Sequence, residues 1–331
     1  MKKSFFLIIS FLCATAAYAL TVTAEGAQYR INASKYTAEL VEVTDSAITS
    51  FSVPAFVTIN DNKFSVVSLG KAAFAECTEL TRIVLPEGLI EIGPSAFEDC
   101  WSLTEISFPS SLLKIDDHAF WGCTKLQTIM LPPNLKILGA GVFGHCAIKS
   151  LFIPKEVMYI GEYTATTCND LTEIKVDERN INYDSRNGCN AIIHTPSKTL
   201  VCGCQSSTIP QGVVSIQAHA FEECWGVESV TLPEGLKMVG DSAFRECYHL
   251  ASVSFPNTLY GIGNSAFEQC NALRTVTLPE GLVYIGNRAF RNCNQLGEVA
   301  IPGSVREMGQ QVFEVIDESK LVVEEWDEDE E

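Results

Sequence analysis

Phenylalanine returns at a fixed step along this chain. Phe74, Phe97, Phe120 and Phe143 are each 23 residues apart, and so are Phe221, Phe244, Phe267, Phe290 and Phe313. Proline keeps the same step at Pro86, Pro109 and Pro132, and again from Pro210 through Pro233, Pro256 and Pro279 to Pro302. A period of this length constrains the chain to a solenoid. One unit is too small to bury its own apolar edge, whereas units stacked along an axis bury a continuous core between them.

The unit itself is legible. A complete copy runs Ala96-Phe97-x-x-Cys100-x-x-Leu103-x-x-Ile106-x-Phe108-Pro109-x-x-Leu112-x-x-Ile115. In the preceding copy Ile83 and Leu85 share one face of a short strand, because strand side chains alternate. Pro86 ends that strand, where a missing N–H does least harm to the ladder. Leu89 and Ile92 mark a second short extended segment, and Gly93 is expected to permit the corner after it. Ala96-Phe97 is expected to begin a helical or 3-10 turn that returns the ring to the interior. Neighbouring strands should lie about 4.8 Å apart.

Departures from the register divide the chain. Residues 1–19 read as a signal peptide, with Lys2 and Lys3 before an uncharged apolar run and Ala17-Tyr18-Ala19 as the cleavage site. Residues 20–70 read as an N-terminal β cap, with a hairpin of Phe56-Val57-Thr58-Ile59 and Phe64-Ser65-Val66-Val67 around Asn60-Asp61-Asn62; such caps cover the end of a stack. The first repeat block is 71–176 and the second is 208–323, with Val322 marking a last strand. Between them, 177–207 is an insertion carrying a hairpin around Thr195-Pro196-Ser197-Lys198. The coil before it is one residue short, with Cys146 and Cys168 only 22 apart and Ala165 in place of phenylalanine. Residues 324–331 form an acidic tail with seven acids in eight positions.

The pattern Ala-Phe-x-x-Cys-x-x-Leu-x-x-Ile-x-Leu-Pro-x-x-Leu-x-x-Ile-Gly resembles the BspA-type leucine-rich repeat family, most clearly over Ala72 to Gly93, Ala243 to Gly263 and Ala266 to Gly286. The segment Asn182-Tyr183-Asp184-Ser185 through Asn187-Gly188-Cys189-Asn190-Ala191-Ile192-Ile193 also resembles an insertion common in that family. The resemblance implies a leucine-rich-repeat solenoid with short parallel strands per coil and helical or 3-10 turns. It also implies a protein on or outside a host-associated microbe that adheres to host matrix or to other cells. It brings no catalytic motif and no cofactor.

Charge and motifs narrow the function. A formal net charge of −18 disfavours nucleic acid, which needs a concentrated Lys/Arg surface, and disfavours attachment to anionic lipid. Once the signal is removed, no stretch is apolar and long enough for membrane insertion. The protein is therefore expected to be exported: secreted, periplasmic or on the cell surface. His118, His145, His194, His219 and His249 are scattered, and no metalloprotease, nucleophile-elbow, phosphate-loop or dinucleotide motif is present. The carboxylates Asp116 and Asp117 suit a corner of the coil better than the facing pair a glycosidase needs. The expectation is no enzyme, no metal and no cofactor, with an extracellular protein or glycan as partner. The alternative is a non-binding structural component, suggested by the Ser/Thr columns Ser229, Ser252, Thr275 and Thr231, Ser254, Thr277.

Candidate contact residues follow from the repeat positions. Arg82, Val84, Met130 and Phe152 occupy outward positions of the first strand, the last three apolar where water is expected. Trp101 and Trp121 sit on turns, and Trp225 and Tyr248 share a column in adjacent coils, where they should stack at about 5 Å. Tyr159 lies on the second extended segment. Twelve of the thirteen cysteines follow the signal, and nine of these hold one repeat position from Cys77 to Cys293. Those nine are expected as buried free thiols, since stacked side chains point the same way. In the insertion hairpin, pairing of His194 with Thr199 would set Cys189 opposite Cys204. A Cys189–Cys204 disulfide is expected there, with Cys202 pairing or free thiols as alternatives.

Overall fold

The computed structural model of the protein describes residues 20–313 and the strand Leu321–Val323. Residues 1–19, read above as a signal peptide, and the acidic tail lie outside the described residues. The chain divides into two compact units, the first ending at Cys146 and the second starting at Ala147. The division falls where the short coil loses its residue: Cys123 to Leu126 is three steps, whereas Cys146 to Ile148 is two. Each unit is a leucine-rich-repeat stack, as the periodicity predicts.

In the first unit one sheet runs in the order Leu20–Ala24, Ala27–Asn32, Thr37–Val43, Asn62–Leu69, Glu91–Ile92, Lys114–Ile115, Ile137–Leu138. The first three strands pair antiparallel and the rest add in parallel, coil by coil. The expected cap hairpin joins Phe56–Ile59 to Asn62–Leu69 through Asn60 and Asp61, both with positive φ, as a tight two-residue turn requires. The outer sheet already begins inside the cap, because Ser50–Ser52 pairs with Arg82–Val84 and that strand with Glu105–Ser107.

The second unit has the same plan. Its long sheet runs Tyr183–Asp184, Ile192–His194, Thr199–Cys202, Ser215–Ile216, Met238–Val239, Gly261–Ile262, Tyr284–Ile285, Glu307–Met308. Its outer strands pair Ser150–Ile153 with Glu173–Val176 and Ser229–Thr231 with Ser252–Ser254. Val299–Ile301 pairs with Leu321–Val323, so the last strand stands where Val322 predicts it.

The expected helical turn is corrected. Ser95 and Asp99 have φ of 54° and 57°, which interrupts any helix every fourth residue. Alternate amides instead point along the stack: Ser95, Phe97 and Asp99 N–H donate to Asp117, Ala119 and Trp121 carbonyls of the next coil at 2.9, 2.8 and 2.8 Å. The turn is thus a third hydrogen-bonded ladder. Among the described residues the one 3-10 segment is Arg186–Gly188, in the insertion. The role expected for Gly93 also changes. Its φ is ordinary, but a Cβ there would lie 2.7 Å from the Leu69 carbonyl oxygen of the preceding coil.

Inside the turns the rings stack. Centroids of Phe74, Phe97 and Phe120 follow at 5.1 Å, and Phe221 to Phe244 and Phe244 to Phe267 at 4.9 and 5.2 Å. The repeat cysteines are buried free thiols. Each of Cys100, Cys123, Cys146, Cys247, Cys270 and Cys293 donates its S–H to a phenylalanine carbonyl 26 residues earlier. Burial pushes the Cys77 thiol up to about 11 and those of Cys100 and Cys293 up to about 12. Because all nine repeat thiols are buried, alkylation should leave them unmodified in the native protein and modify all of them in denaturant. Mass spectrometry that found any of the nine labelled in the native sample would contradict this.

Candidate functional site

The insertion alters one side of the second unit and not the other. On the turn side, residues 56 apart lie against each other: the Tyr163 and His219 rings at 3.9 Å, Thr167 Oγ1 donating to Glu223 at 3.0 Å, and Trp225 N–H donating to Asn169 Oδ1 at 3.1 Å. The turn of the short coil thus rests directly on the first turn of the regular repeats. On the long-sheet side, three strands from the insertion precede Ser215–Ile216. The chain that would have closed one coil is spent on an outward excursion.

Asn180 anchors the start of that excursion. It is buried, its Nδ2 donates to Pro154 and Val157 carbonyls at 2.9 and 3.0 Å, and its Oδ1 accepts from Asn182 and Tyr183 N–H at 2.8 and 2.9 Å. All four of its amide valences are used, so replacing it would orphan several buried groups. The Tyr183 hydroxyl accepts the Ile160 N–H at 2.9 Å. Further along, Ser185 Oγ accepts the Val176 N–H and Asn190 Oδ1 the Ile174 N–H, at 3.1 and 3.4 Å. These side chains blunt the free edge of Glu173–Val176 where another strand would otherwise add.

A cleft of about 870 Å³ opens between that strand and the excursion. Phe152, 50% exposed, stands in one wall. Lys175, Asp177 and Arg179 line it from the strand and its end, and Asp184, Arg186 and Asn187 from the excursion. Most of these charges are paired within the chain. Arg179 Nε and Nη2 meet the two Asp177 oxygens at 2.9 and 2.7 Å, and Arg186 Nε meets Asp184 Oδ1 at 2.7 Å. Lys175 pairs with Glu173. The Arg179 hydrogen bond holds the Asp177 carboxyl down to about 2. Burial raises Asp184, but hydrogen bonds from Arg186 and Thr195 outweigh it and the net direction is down. Both carboxylates stay ionised through the neutral range and form fixed pairs with their arginines.

The other sequence candidates do not converge on this cleft. Val84, Trp101 and Met130 are exposed, at 45, 52 and 85%, and belong with Arg82 to the first unit. Trp121 is half-buried, edge-on to His118 and His145 at 5.1 and 4.7 Å, so packing accounts for it. Tyr159 is exposed on the short strand Tyr159–Ile160. Trp225 and Tyr248 do meet, at 5.9 Å with planes tilted by 41°. The expected Cys189–Cys204 bridge is absent and both thiols are free. His194 does pair with Thr199, but a bulge between Ile192 and Ile193 shifts the register, so Ile192 faces Cys202. The Cys189 thiol instead donates to the Ala191 carbonyl and that of Cys204 to the Asn190 carbonyl. Asp116 pairs with Lys114, and Asp117 accepts the Ala140 N–H, which are structural roles. The two Asp-x-Arg steps are visible in the sequence, but nothing local shows that they line one cleft.

The family described as BspA type leucine rich repeat region matches in six copies, over residues 49–172 and 200–318. The chain belongs to the BspA-type leucine-rich repeat family. The gap between the matched stretches contains most of the cleft, so the site is built from the part of the chain that departs from the BspA-type repeat. Among solved structures, the chain is similar to a leucine-rich cell surface protein of Faecalibacterium prausnitzii, at 24% identity over 93% of this chain and 96% of that one, with a TM-score of 0.68. It is also similar to the pneumococcal vaccine antigen PcpA, at 19% identity over 89% and 86%, TM-score 0.76. A leucine-rich repeat protein of Eubacterium ventriosum is 20% identical over 95% of both chains, TM-score 0.60. These likenesses bear on the fold. No curated protein matches the chain.

Proposed function

We propose that the protein is an exported recognition module that binds an extracellular protein or glycan at the cell surface. The observation that carries this is the cleft: a cavity of ligand size with an exposed aromatic wall, held by an insertion whose buried polar groups are satisfied. Recognition sites of this kind combine a rigid frame with irregular segments that carry the contacts. The signal-like N-terminus and the family's typical location support export, and the F. prausnitzii relative is itself named a cell surface protein. Catalysis finds no support in the site. Among its lining residues there is no histidine, and Asp177 and Asp184 are each paired with an arginine.

The test is binding of the chain from Leu20 onwards to immobilised matrix proteins and glycans. Saturable binding to at least one of them is expected. A complete lack of saturable binding across a broad panel would sink the proposal and favour the spacer alternative. That alternative is motivated by the exposed Ser/Thr columns at Ser229, Thr231, Ser252 and Ser254, and light scattering would then reveal higher-order assembly.

A further inference from the structure

We propose that the cleft takes an uncharged oligosaccharide, which stacks one pyranose face on Phe152 and hydrogen-bonds to Asn187 and to the spare donors of Arg179 and Arg186. The proposal rests on the recognition function proposed above and names its ligand class.

Three observations lead there. The first is charge. Among the lining residues Lys175, Arg179 and Arg186 are each paired with an acid of their own segment, two of them through parallel N–H···O contacts to one carboxylate. A sulfated or sialylated ligand would find these cations already neutralised by their own acids and would meet a chain of net charge −18. An ammonium-bearing ligand would find only Glu178 without a recorded ion-pair partner among the described lining residues. The second is the ring. Phe152 lies on a strand paired to Glu173–Val176, so its position is fixed by the sheet, and it is half exposed where it lines the cleft. The C–H face of a sugar ring is apolar and flat, and covering an exposed aromatic with it removes both surfaces from water.

The third is the donors. A guanidinium carries five N–H groups and a bidentate carboxylate uses two, leaving others for hydroxyls held in plane. The carboxylates in turn fix the arginine planes before any ligand arrives. Asn187 sits at φ 58° in the 3-10 segment with its amide exposed, and the structure gives that side chain no partner among the described residues. Planar, pre-oriented groups beside an aromatic wall suit hydroxyl-rich neutral ligands.

The experiment titrates the chain from Leu20 onwards with neutral oligomers of glucose, mannose, xylose and N-acetylglucosamine, with heparin oligosaccharide and a lysine-rich peptide alongside, following Phe152-side resonances by NMR and affinity by calorimetry. At least one neutral oligomer should bind, and its affinity should be unchanged by a roughly tenfold rise in salt, because no net charge is exchanged. Phe152→Ala should weaken it by about tenfold or more, and Asn187→Gly, which suits the positive φ, should weaken it less. Both positions are exposed, and an unchanged thermal melt would show that the variants fold. Binding of heparin or the basic peptide alone at this cleft, neutral-sugar binding untouched by Phe152→Ala, or no oligomer bound would each overturn the proposal. If matrix proteins still bind in that last case, recognition stands and only the saccharide site falls.

Discussion

Phe244→Ala should be among the most damaging single changes in the protein, costing about 3–5 kcal/mol as expected for a fully buried phenylalanine. The Phe244 ring is wholly buried between Phe221 and Phe267, at 4.9 and 5.2 Å, with planes within 8° and 3° of parallel. Its removal leaves a gap that neighbours cannot fill, because their positions are set by three hydrogen-bonded ladders. A stack transmits stability through nearest neighbours, so denaturant unfolding should move to lower concentration and lose cooperativity on both sides of the missing ring. Phe255→Ala is the control. That ring is only half-buried and meets Phe267 edge-on at 5.7 Å, so its loss should be smaller. Equal losses for the two variants would show that stacking position is irrelevant.

Gly263→Ala should destabilise, where the usual sign is the opposite. At an ordinary negative φ, replacing glycine by alanine stabilises by about 0.4–1 kcal/mol through the unfolded chain. Gly263 needs no positive φ, yet a Cβ would lie 2.6 Å from the Asp241 backbone nitrogen and 2.7 Å from the Gly240 carbonyl carbon of the preceding coil. The coils must separate there, straining the Gly263 N–H bond to the Val239 carbonyl and the contact from Asn264 N–H to Asp241, now 2.8 and 2.7 Å. A loss of about 1–3 kcal/mol is expected for such overpacking, and Gly263→Val should exceed it. Gly297 is the counterpart: its nearest neighbour would be 3.5 Å away, so Gly297→Ala should be neutral or mildly stabilising. Paired thermal melts read the difference in sign directly; a stabilised Gly263→Ala would refute the close-approach account.

Much of the fold was open to inspection in the chain alone. Phe, Cys, Leu and Pro at fixed positions report the same inward and outward choice in every coil, and the structure buries Phe97, Cys100, Leu103 and Ile115 as that choice requires. The turn was misjudged, because an Ala-Phe start looks helical until amides such as that of Phe97 are seen to donate to the next coil. The hairpin turn at residues 195–198 was recognisable from its proline and polar residues, yet the bulge at Ile192 that separates Cys189 from Cys204 was not. The candidate site was legible only at Phe152. Asp177, Arg179, Asp184, Arg186 and Asn187 look like an ordinary polar loop until the fold sets them around one space.

The 23-residue repeat, its inward residues and the place where it fails are properties of the sequence by itself, because each coil repeats one local instruction and needs only an identical neighbour. What lies across the failure was decided by the tertiary structure. The turn at Tyr163 meets the turn at His219 across 56 residues, while the chain between them is pushed to one side and folds into a cleft. No period encodes that distance. It follows from the requirement that the exposed end of one stacked coil be covered by the next, whatever length of chain has to be looped out to bring it there.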